Sequence, residues 1–227
     1  MCGRYVLFSA KNELETHFNA PFQASDDFYQ PSWNIPPGTI NPVVLLGKAR
    51  VPGISPMKWG LVPSFATDEN IGFKMINARG ETVDEKPSFK KSFQRKRCLI
   101  PVNGFYEWKK LSGTDKKLPF FIRLMGVELF AFAGLFEFWK SGDGKELFSY
   151  TIITTSANAL LEPIHERMPV ILDPHQYDAW LNPLNQDLDS IKAMIRPYPM
   201  DRMRAFRVGD AVSKTANNSP ELIEPQM

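Results

Sequence analysis

The sequence has few of the residues that build metal, disulfide or nucleotide sites. Among its 227 residues are 2 Cys and 3 His, and their spacing matches no structural zinc site. A phosphate-binding loop and a dinucleotide-binding fingerprint are also missing. These absences exclude the zinc- and nucleotide-dependent enzymes that short motifs identify, and we expect neither a metal nor a cofactor.

Long apolar segments are absent as well. No apolar run approaches the roughly 18 residues of a membrane span, and no apolar region of a secretion signal follows Met1. We therefore expect a cytoplasmic protein that does not bind membranes. Because a reducing cytosol disfavours disulfides, Cys2 and Cys98 are expected to be two separate thiols.

The total charge gives little indication of a partner. Lys and Arg number 27 and Asp and Glu 25, so the net charge of +2 is too small to indicate nucleic acid by itself. The distribution is more informative, since residues 86–97 (KPSFKKSFQRKR) contain six basic residues and no acidic one. Such a stretch attracts phosphate or forms a solvated helix face, and the sequence leaves both interpretations open.

The composition, with 43% hydrophobic and 12% aromatic residues, is that of a folded globular protein. Because no repeat and no low-complexity linker interrupts the chain, residues 1–227 are predicted to form a single domain. The proline-rich segments 31–38 and 51–56 are predicted to be loops. Strands are predicted at 97–102, 105–108, 118–124, 129–139 and 147–155, with the third and fourth forming a hairpin around Gly126.

Helices are predicted to be few and short. Ser9 is a candidate N-cap for a helix that places Leu14 and Phe18 on one face, and the basic stretch repeats that spacing of aromatic residues. Asp173 followed by Pro174 predicts the start of another helix. We therefore predict the fold class α+β: bent, mostly antiparallel and barrel-like β-sheets with short peripheral helices.

Cys2 is distinguished by its position after Met1. An initiator Met before a small residue is normally removed, which would leave an α-amine of pKa about 8 and a thiol of pKa about 8.5 on one residue. The amine can form a Schiff base with an aldehyde, and the thiol can then close a five-membered thiazolidine ring. An inert buried thiol is the alternative, since Cys is among the most buried residue types.

Nine short segments, in the same order along the chain, resemble the SRAP family, the SOS-response-associated peptidase-like proteins that shield abasic sites. The resemblance runs from Met1 to Pro225, and the combination of segments is what makes it specific. The segments are MCGRY (1–5), PSWNIPPG (31–38), MKWGLVP (57–63), INARGETV (76–83), RCLIPVNGFYEW (97–108), FAGLFEFW (132–139), SYTIITTSAN (149–158), HERMPVIL (165–172) and NNSPELIEP (217–225).

The resemblance implies a sensor that crosslinks its N-terminal cysteine to the ring-opened aldehyde of an abasic site in single-stranded DNA. Cys2 is implied to be the nucleophile, with Asn34 near it. Glu107 is implied to act as acid or base, and His165 to assist opening of the deoxyribose ring. AP lyase activity and self-processing of the amino end are further implied activities. The protein is expected to be a monomer that is nucleoid-associated when bound to DNA.

The resemblance also implies the DNA contacts. Arg4, Asn77 and Arg79 are implied to hold the DNA backbone and its phosphates, which an arginine can bind with two hydrogen bonds. Trp59 and Phe65 are candidates to stack on bases or to wedge the strand. Some relatives have tryptophans after the WG-x-x-P turn where this chain has a serine and then Phe65, which leaves the form of the DNA wedge open.

Several alternatives remain. Glu107 and His165 are also compatible with hydrogen-bonded core groups, and Arg4 and Arg79 with structural salt bridges. Met-Cys-Gly also starts glutamine amidotransferase domains, in which the freed amine serves as the base for the thiol. A peptidase that removes its own Met1 or cleaves other proteins is a further alternative, and so is a protein that binds single-stranded DNA without a covalent bond.

Overall fold

Two β-sheets account for most of the regular structure. The computed structural model describes residues 2–23, 28–47 and 50–226. The strands in this part of the chain are β1 Tyr5–Leu7, β2 Ser32–Ile35, β3 Ile40–Leu46, β4 Pro52–Trp59, β5 Asn77–Arg79, β6 Arg97–Val102, β7 Gly104–Lys110, β8 Lys117–Leu124, β9 Phe130–Lys140, β10 Glu146–Ser156, β11 Arg167–Pro169, β12 Ile171–Leu172 and β13 Met203–Arg207.

Five of these strands close into a barrel. Neighbours around it are β10, β4, β3, β6 and β9, and β9 pairs with β10 to complete the ring. The neighbours are antiparallel except β4 and β10, where Lys58 lies opposite Ser149 in a parallel pair. β5 runs parallel to β10, whereas β11 and β12 join β10 and β9 in antiparallel pairs. Closure pairs the edges that an open sheet of these strands would expose.

The second sheet is antiparallel, with the strand order β13, β8, β7, β1, β2. Successive side chains of a strand point to opposite faces. Tyr5 of β1 and Phe105 of β7 accordingly belong to the main core that also contains the barrel residues. Val6 and Tyr106 belong to a smaller cluster on the other face, which Val212 of the C-terminal segment helps to cover. Strand β1 is therefore buried from both sides.

Helices lie around the sheets and are short. The second helix packs its Phe93 edge-on against Trp180 of the third, with 6.3 Å between ring centroids. Within the described residues no helix is long and apolar enough to cross a membrane. The α-helices are α1 Lys11–Phe18, α2 Pro87–Arg95, α3 Tyr177–Leu181 and α4 Leu188–Ala193.

The basic stretch divides into structural and solvated residues. Arg97 is buried and donates hydrogen bonds of 2.7 Å to the carbonyls of Phe93 and Trp180. Lys96 forms an ion pair with the buried carboxylate of Glu137. These two cations therefore hold α2 and α3 against the barrel. The exposed basic residues of the stretch are Lys86, Lys90, Lys91 and Arg95.

The predicted fold class is confirmed: the protein is α+β, with a barrel, an antiparallel sheet and a few short helices. The predicted hairpin around Gly126 is wrong. β8 pairs with β7 and β13, whereas β9 pairs with β6 and β10, so the two strands belong to different sheets. Gly126 has the positive φ of +70° that a sharp turn favours. The strands before and after it nevertheless pair with strands that are distant in sequence, and so they join different sheets.

The two proline-rich segments contain strands rather than loops alone. The prolines of segment 31–38 flank β2 instead of interrupting it. Pro42 lies opposite Pro56 in the pair of β3 and β4, so two residues without an N–H group share one rung of the ladder. Ser9 is not the cap of α1, because its hydroxyl accepts a hydrogen bond from Asn103 and the N-cap is Ala10.

Gly60, directly after β4, has a close backbone contact that generates a stability prediction. Its φ is +121°, and a Cβ built there would lie 2.6 Å from the carbonyl oxygen of Gly72. We predict that Gly60→Ala lowers the free energy of unfolding in urea by about 2 kcal/mol or more, because strain and a backbone clash add. At Gly142 a Cβ would meet no atom within 4 Å, so Gly142→Ala should change it by less than about 0.5 kcal/mol. Similar losses in both variants would contradict this prediction.

Candidate functional site

Antiparallel pairing of β1 with β7 brings Cys2 close to Glu107. Tyr5 lies opposite Phe105, and the N–H of Tyr106 donates to the Arg4 carbonyl at 3.0 Å. The same register, continued toward the amino end, places Glu107 beside the residues that precede Arg4. Because side chains alternate along a strand, Glu107 shares the inner face of β7 with Phe105.

Both reactive groups are removed from water. Cys2 is 0% exposed and Glu107 is 3% exposed. Burial raises the pKa of the Cys2 thiol, and the neighbouring Glu107 carboxylate raises it further. Burial also raises the pKa of Glu107 to about 7. At neutral pH the thiol is therefore protonated, whereas the carboxyl group is divided between its acid and base forms and can act as either.

Asn77 connects Cys2 to the barrel. Its side-chain N–H donates to the Cys2 carbonyl at 2.8 Å, and its Oδ1 is buried without a hydrogen-bond partner among the described residues. Asn77 lies opposite Ile152 and Arg79 opposite Thr154 in the parallel pair of β5 with β10. Arg79 is exposed, so its guanidinium can reach a ligand outside the protein.

His165 lies in the turn before β11. The backbone N–H of Arg167 donates to His165 Nδ1 at 3.0 Å, so the proton of the neutral ring is on Nε2. Burial lowers the pKa of His165, which favours this neutral form at pH 7. Arg167 is opposite Ser156, so His165 and Arg79 both lie near the carboxyl end of β10.

Arg4 and Asn34 contact the C-terminal segment. Arg4 Nη1 donates to Asn34 Oδ1 at 2.6 Å and to the Val212 carbonyl at 3.0 Å. Asn34 is 3% exposed, and its side-chain nitrogen faces the carbonyls of Val212, Lys214 and Asn217 at 3.2, 3.1 and 2.7 Å. The amide of Asn34 thus makes hydrogen bonds within the fold on both its donor and its acceptor side.

The two candidate stacking residues differ in exposure. Trp59 is 1% exposed, its ring is stacked on Tyr150 with centroids 6.3 Å apart, and its Nε1–H donates to the Ile76 carbonyl. This burial argues against a direct contact of Trp59 with DNA bases. Phe65 is 66% exposed in the loop after β4. Of the two rings, only that of Phe65 is presented to solvent.

Some residues that shape this site are not among those predicted from the sequence. Arg167 donates to Glu81 and to the Thr154 carbonyl and so holds the turn that contains His165. A buried pair of hydroxyls, Tyr5 and Tyr150, lies 2.8 Å apart within the same core. The position of Arg167 two residues after His165 could have indicated its role, but nothing local in the sequence pairs the two tyrosines.

A metal centre finds no support in the part of the chain that the structure describes. Among residues 2–23, 28–47 and 50–226 no three His, Cys, Asp or Glu side chains converge as metal ligands. Cys2 and Cys98 are both free thiols. The groups of the site that can take part in chemistry include the thiol, the carboxyl group, the imidazole and the surrounding amides.

The fold and site define a class: α+β proteins in which a barrel and an antiparallel sheet enclose a cysteine near the amino end beside a buried glutamate. Residues 1–215 match the family model described as SOS response associated peptidase (SRAP). The chain belongs to this family, which confirms the resemblance inferred from its motifs.

Relatives of known name cover nearly the whole chain. "Abasic site processing protein YoqW" of Bacillus subtilis (strain 168) is 46% identical over 224 residues, 99% of each chain. "Abasic site processing protein HMCES" of Rattus norvegicus is 32% identical over 272 residues, 99% of this chain and 76% of the relative. A solved structure from Bacteroides thetaiotaomicron covers 100% of both chains with a TM-score of 0.90 at 23% identity, a likeness of fold.

The raised pKa of Glu107 generates a prediction about stability and pH. A folded-state pKa of about 7 against an ordinary value near 4.3 means that folding favours the neutral carboxyl group. Its contribution to stability is complete below about pH 4 and is lost as the pH rises through 7. Glu107→Gln removes this loss. The free energy of unfolding of the variant minus that of the parent should therefore be about 2 to 3 kcal/mol larger at pH 8 than at pH 5.

Urea unfolding of both proteins at the two pH values measures this difference. Glu166→Gln is the matched control, because Glu166 is exposed and water solvates its carboxyl group in both states. The difference in free energy of unfolding between Glu166→Gln and the parent should be nearly the same at pH 5 and at pH 8. A constant difference for Glu107→Gln as well would show that the carboxylate is not held in a desolvated site.

Proposed function

We propose that this protein processes abasic sites in single-stranded DNA by forming a covalent thiazolidine crosslink through Cys2 once Met1 has been removed. The observation that carries the proposal is a fully buried cysteine thiol beside a carboxyl group with a pKa of about 7. The names of its relatives, abasic site processing proteins from Bacillus subtilis and Rattus norvegicus, support the choice of substrate.

The order of bond formation follows from the protonation states. The thiol of Cys2 is protonated, so the α-amine attacks the aldehyde carbon first and forms a carbinolamine. Loss of water gives the imine. The sulfur then bonds to the imine carbon while its proton passes to nitrogen, which closes the thiazolidine ring. Water is the single leaving group, and no oxidant, reductant or metal is required.

Glu107 is suited to both proton transfers of this sequence. As a neutral acid it can protonate the departing hydroxyl of the carbinolamine, and as a carboxylate it can accept the proton of the thiol. A pKa of about 7 keeps both forms populated at neutral pH. The Oδ1 of Asn77, which has no partner among the described residues, can accept a hydrogen bond from the amine or from the carbinolamine hydroxyl.

His165 and Arg79 serve the substrate before the crosslink forms. An abasic deoxyribose is mostly a closed hemiacetal, and His165 Nε2–H can donate to the ring oxygen as the ring opens. Arg79 is exposed at the same end of β10, where it can bind a phosphate with two hydrogen bonds. Phe65 offers an exposed ring to a neighbouring base. One chain contains all of these groups, so a monomer bound to the nucleoid is sufficient for crosslinking.

The same intermediate permits two further activities. An imine at the sugar carbon acidifies the neighbouring C–H, so a base such as Glu107 can remove that proton and eliminate the 3′ phosphate, which is AP lyase chemistry. Removal of Met1 must precede all of these steps, and self-processing by the Cys2 thiol with Glu107 is our proposal for it. Because the chain belongs to the SRAP family, the amidotransferase alternative is disfavoured.

The crosslink itself is the direct test of the proposed function. Purified protein mixed with single-stranded abasic DNA should form an adduct that survives denaturation without a reducing agent, seen by gel and by intact mass. Cys2→Ala should abolish this stable adduct, since the new terminal amine can give only a reversible imine. Cys98→Ala, the matched control at the other buried thiol, should crosslink as the parent does. An undiminished stable adduct in Cys2→Ala would refute the mechanism.

Substrate choice separates the role of His165 from that of Glu107. His165→Ala should slow crosslinking to a natural abasic site by roughly 100-fold, the usual size of a general acid–base effect. It should barely affect an oligonucleotide with an open-chain aldehyde, which requires no ring opening. Glu107→Gln should slow both substrates to a similar degree. Equal, small losses for both variants on both substrates would mean that neither residue is catalytic. Crosslinking time courses with the two oligonucleotides measure these effects.

A further inference from the structure

A C-terminal clamp, defined here as residues 211–218, holds the outer sides of β1 and β2. Asn34 of β2 binds three of its carbonyls, and Arg4 binds one of the same three. Asn218 Oδ1 accepts hydrogen bonds from Trp33 N–H at 2.7 Å and from the Ser32 hydroxyl at 3.2 Å. Asn217 in turn donates to the Ala211 carbonyl at 2.8 Å. The clamp is therefore linked to β2 along its length and is closed on itself.

The side-chain amide of Asn34 already makes hydrogen bonds within the fold. Its two N–H groups serve three carbonyl acceptors, and its oxygen accepts from a guanidinium, a charge-assisted bond of 2.6 Å. Both N–H groups are thus engaged by the fold, and with 3% of its surface exposed the side chain is screened from a sugar. Removing it would leave the buried carbonyl of Val212 and part of the half-buried guanidinium of Arg4 without these hydrogen bonds, which is costly.

The clamp also determines where the reactive cysteine lies. The side chain of Arg4 is fixed by Asn34 and Val212. The main-chain carbonyl of Arg4 accepts the N–H of Tyr106, and the Cys2 thiol faces the same carbonyl oxygen at 4.0 Å. One residue thus connects the clamp on the outer face to the buried thiol. If the clamp loosens, β1 and the position of Cys2 relative to β7 loosen with it.

We propose that the clamp is a positioning element and that Asn34 and Arg4 act through it, by holding Cys2 buried beside Glu107. This gives Asn34 and Arg4 roles that differ from the catalytic and phosphate-binding roles implied by the family resemblance. The consequence for crosslinking rests on the proposed function. The consequence for the burial of the thiol does not, so the two can fail separately.

Thiol alkylation provides a test that does not depend on DNA. Cys2 and Cys98 are both 0% exposed, so the full-length protein carries its own reference thiol in the barrel wall. Iodoacetamide labelling of each cysteine, followed by mass spectrometry of peptides, gives two opening rates. Asn34→Ala should accelerate labelling of Cys2 about tenfold or more, because local opening becomes more populated, while Cys98 stays as slow as in the parent.

Two further variants keep the test decisive if Asn34→Ala folds poorly. Asn218→Ala removes exposed clamp contacts. It should accelerate the labelling of Cys2 a few-fold and leave the labelling rate of Cys98 unchanged. Asn103→Ala is the matched control: Asn103 is also 3% exposed and also bonds four partners, but beyond the carboxyl end of β1. It should leave the labelling of Cys2 at most slightly changed. Unchanged protection of Cys2 in both clamp variants, or equal acceleration of both cysteines in Asn218→Ala, would overturn the proposal.

Crosslinking adds a second readout. A positioning role predicts that the clamp variants bind an oligonucleotide containing a stable, non-reactive abasic analogue as the parent does, but form the adduct about tenfold more slowly. A loss of crosslinking with Cys2 still protected would instead show that Asn34 acts chemically, and would contradict the clamp. Absence of crosslinking in the parent would refute the proposed function, while the labelling rates would still decide the role of the clamp.

Discussion

Desolvation of the Cys2 thiol and the Glu107 carboxyl group within one sheet-to-barrel interface is the constraint on which the rest of this structure depends. An ionised group in such a place is costly, so the thiol remains protonated and the pKa of the carboxyl group rises from its ordinary range to about 7. A carboxyl group of that kind destabilises the fold at neutral pH. Burial of large aromatic residues around both faces of β1 and β7 offsets this cost.

The two sheets supply different parts of the candidate site. In the antiparallel sheet the pairing of β1 with β7 brings Cys2, which precedes β1, close to Glu107 of β7. The barrel supplies β10, whose carboxyl end is paired with β5 on one side and β11 on the other. Asn77 and Arg79 of β5 and His165 therefore lie near one strand end although His165 is far from the other two in sequence. Asn77 joins the two halves through its hydrogen bond to the Cys2 carbonyl.

Local patterns in the sequence were sufficient for some features and not for others. The alternation in β7 could identify Glu107 as an inward-facing carboxyl group, and the β-branched run of β10 could identify a strand. The predicted hairpin at Gly126 is wrong because β8 and β9 each pair with strands that are distant in sequence. Proximity in sequence does not indicate those pairings. Trp59 looked suited to stacking because aromatic residues serve both cores and nucleic-acid sites. The stack on Tyr150 shows that this ring packs in the core, and no local pattern in the sequence predicts that contact.

The contacts of Asn34 illustrate why a motif can identify an important residue without indicating which contacts that residue makes. The residue lies in a segment characteristic of the family, and its side chain is among the few buried polar groups of the protein. Its side-chain partners, however, are Arg4 and the carbonyls of Val212, Lys214 and Asn217, all far away in the sequence, so no local pattern could reveal them.

A buried amide that makes several hydrogen bonds rigidifies its surroundings, and here those surroundings carry the reactive amino end. Rigidity of that kind has a chemical use, because the amine and the thiol of Cys2 must reach the same carbon in sequence. A thiol that cannot ionise in place does not compete for the aldehyde at the first step. It adds only after the imine has formed, when the sulfur is already within reach and Glu107 can take its proton.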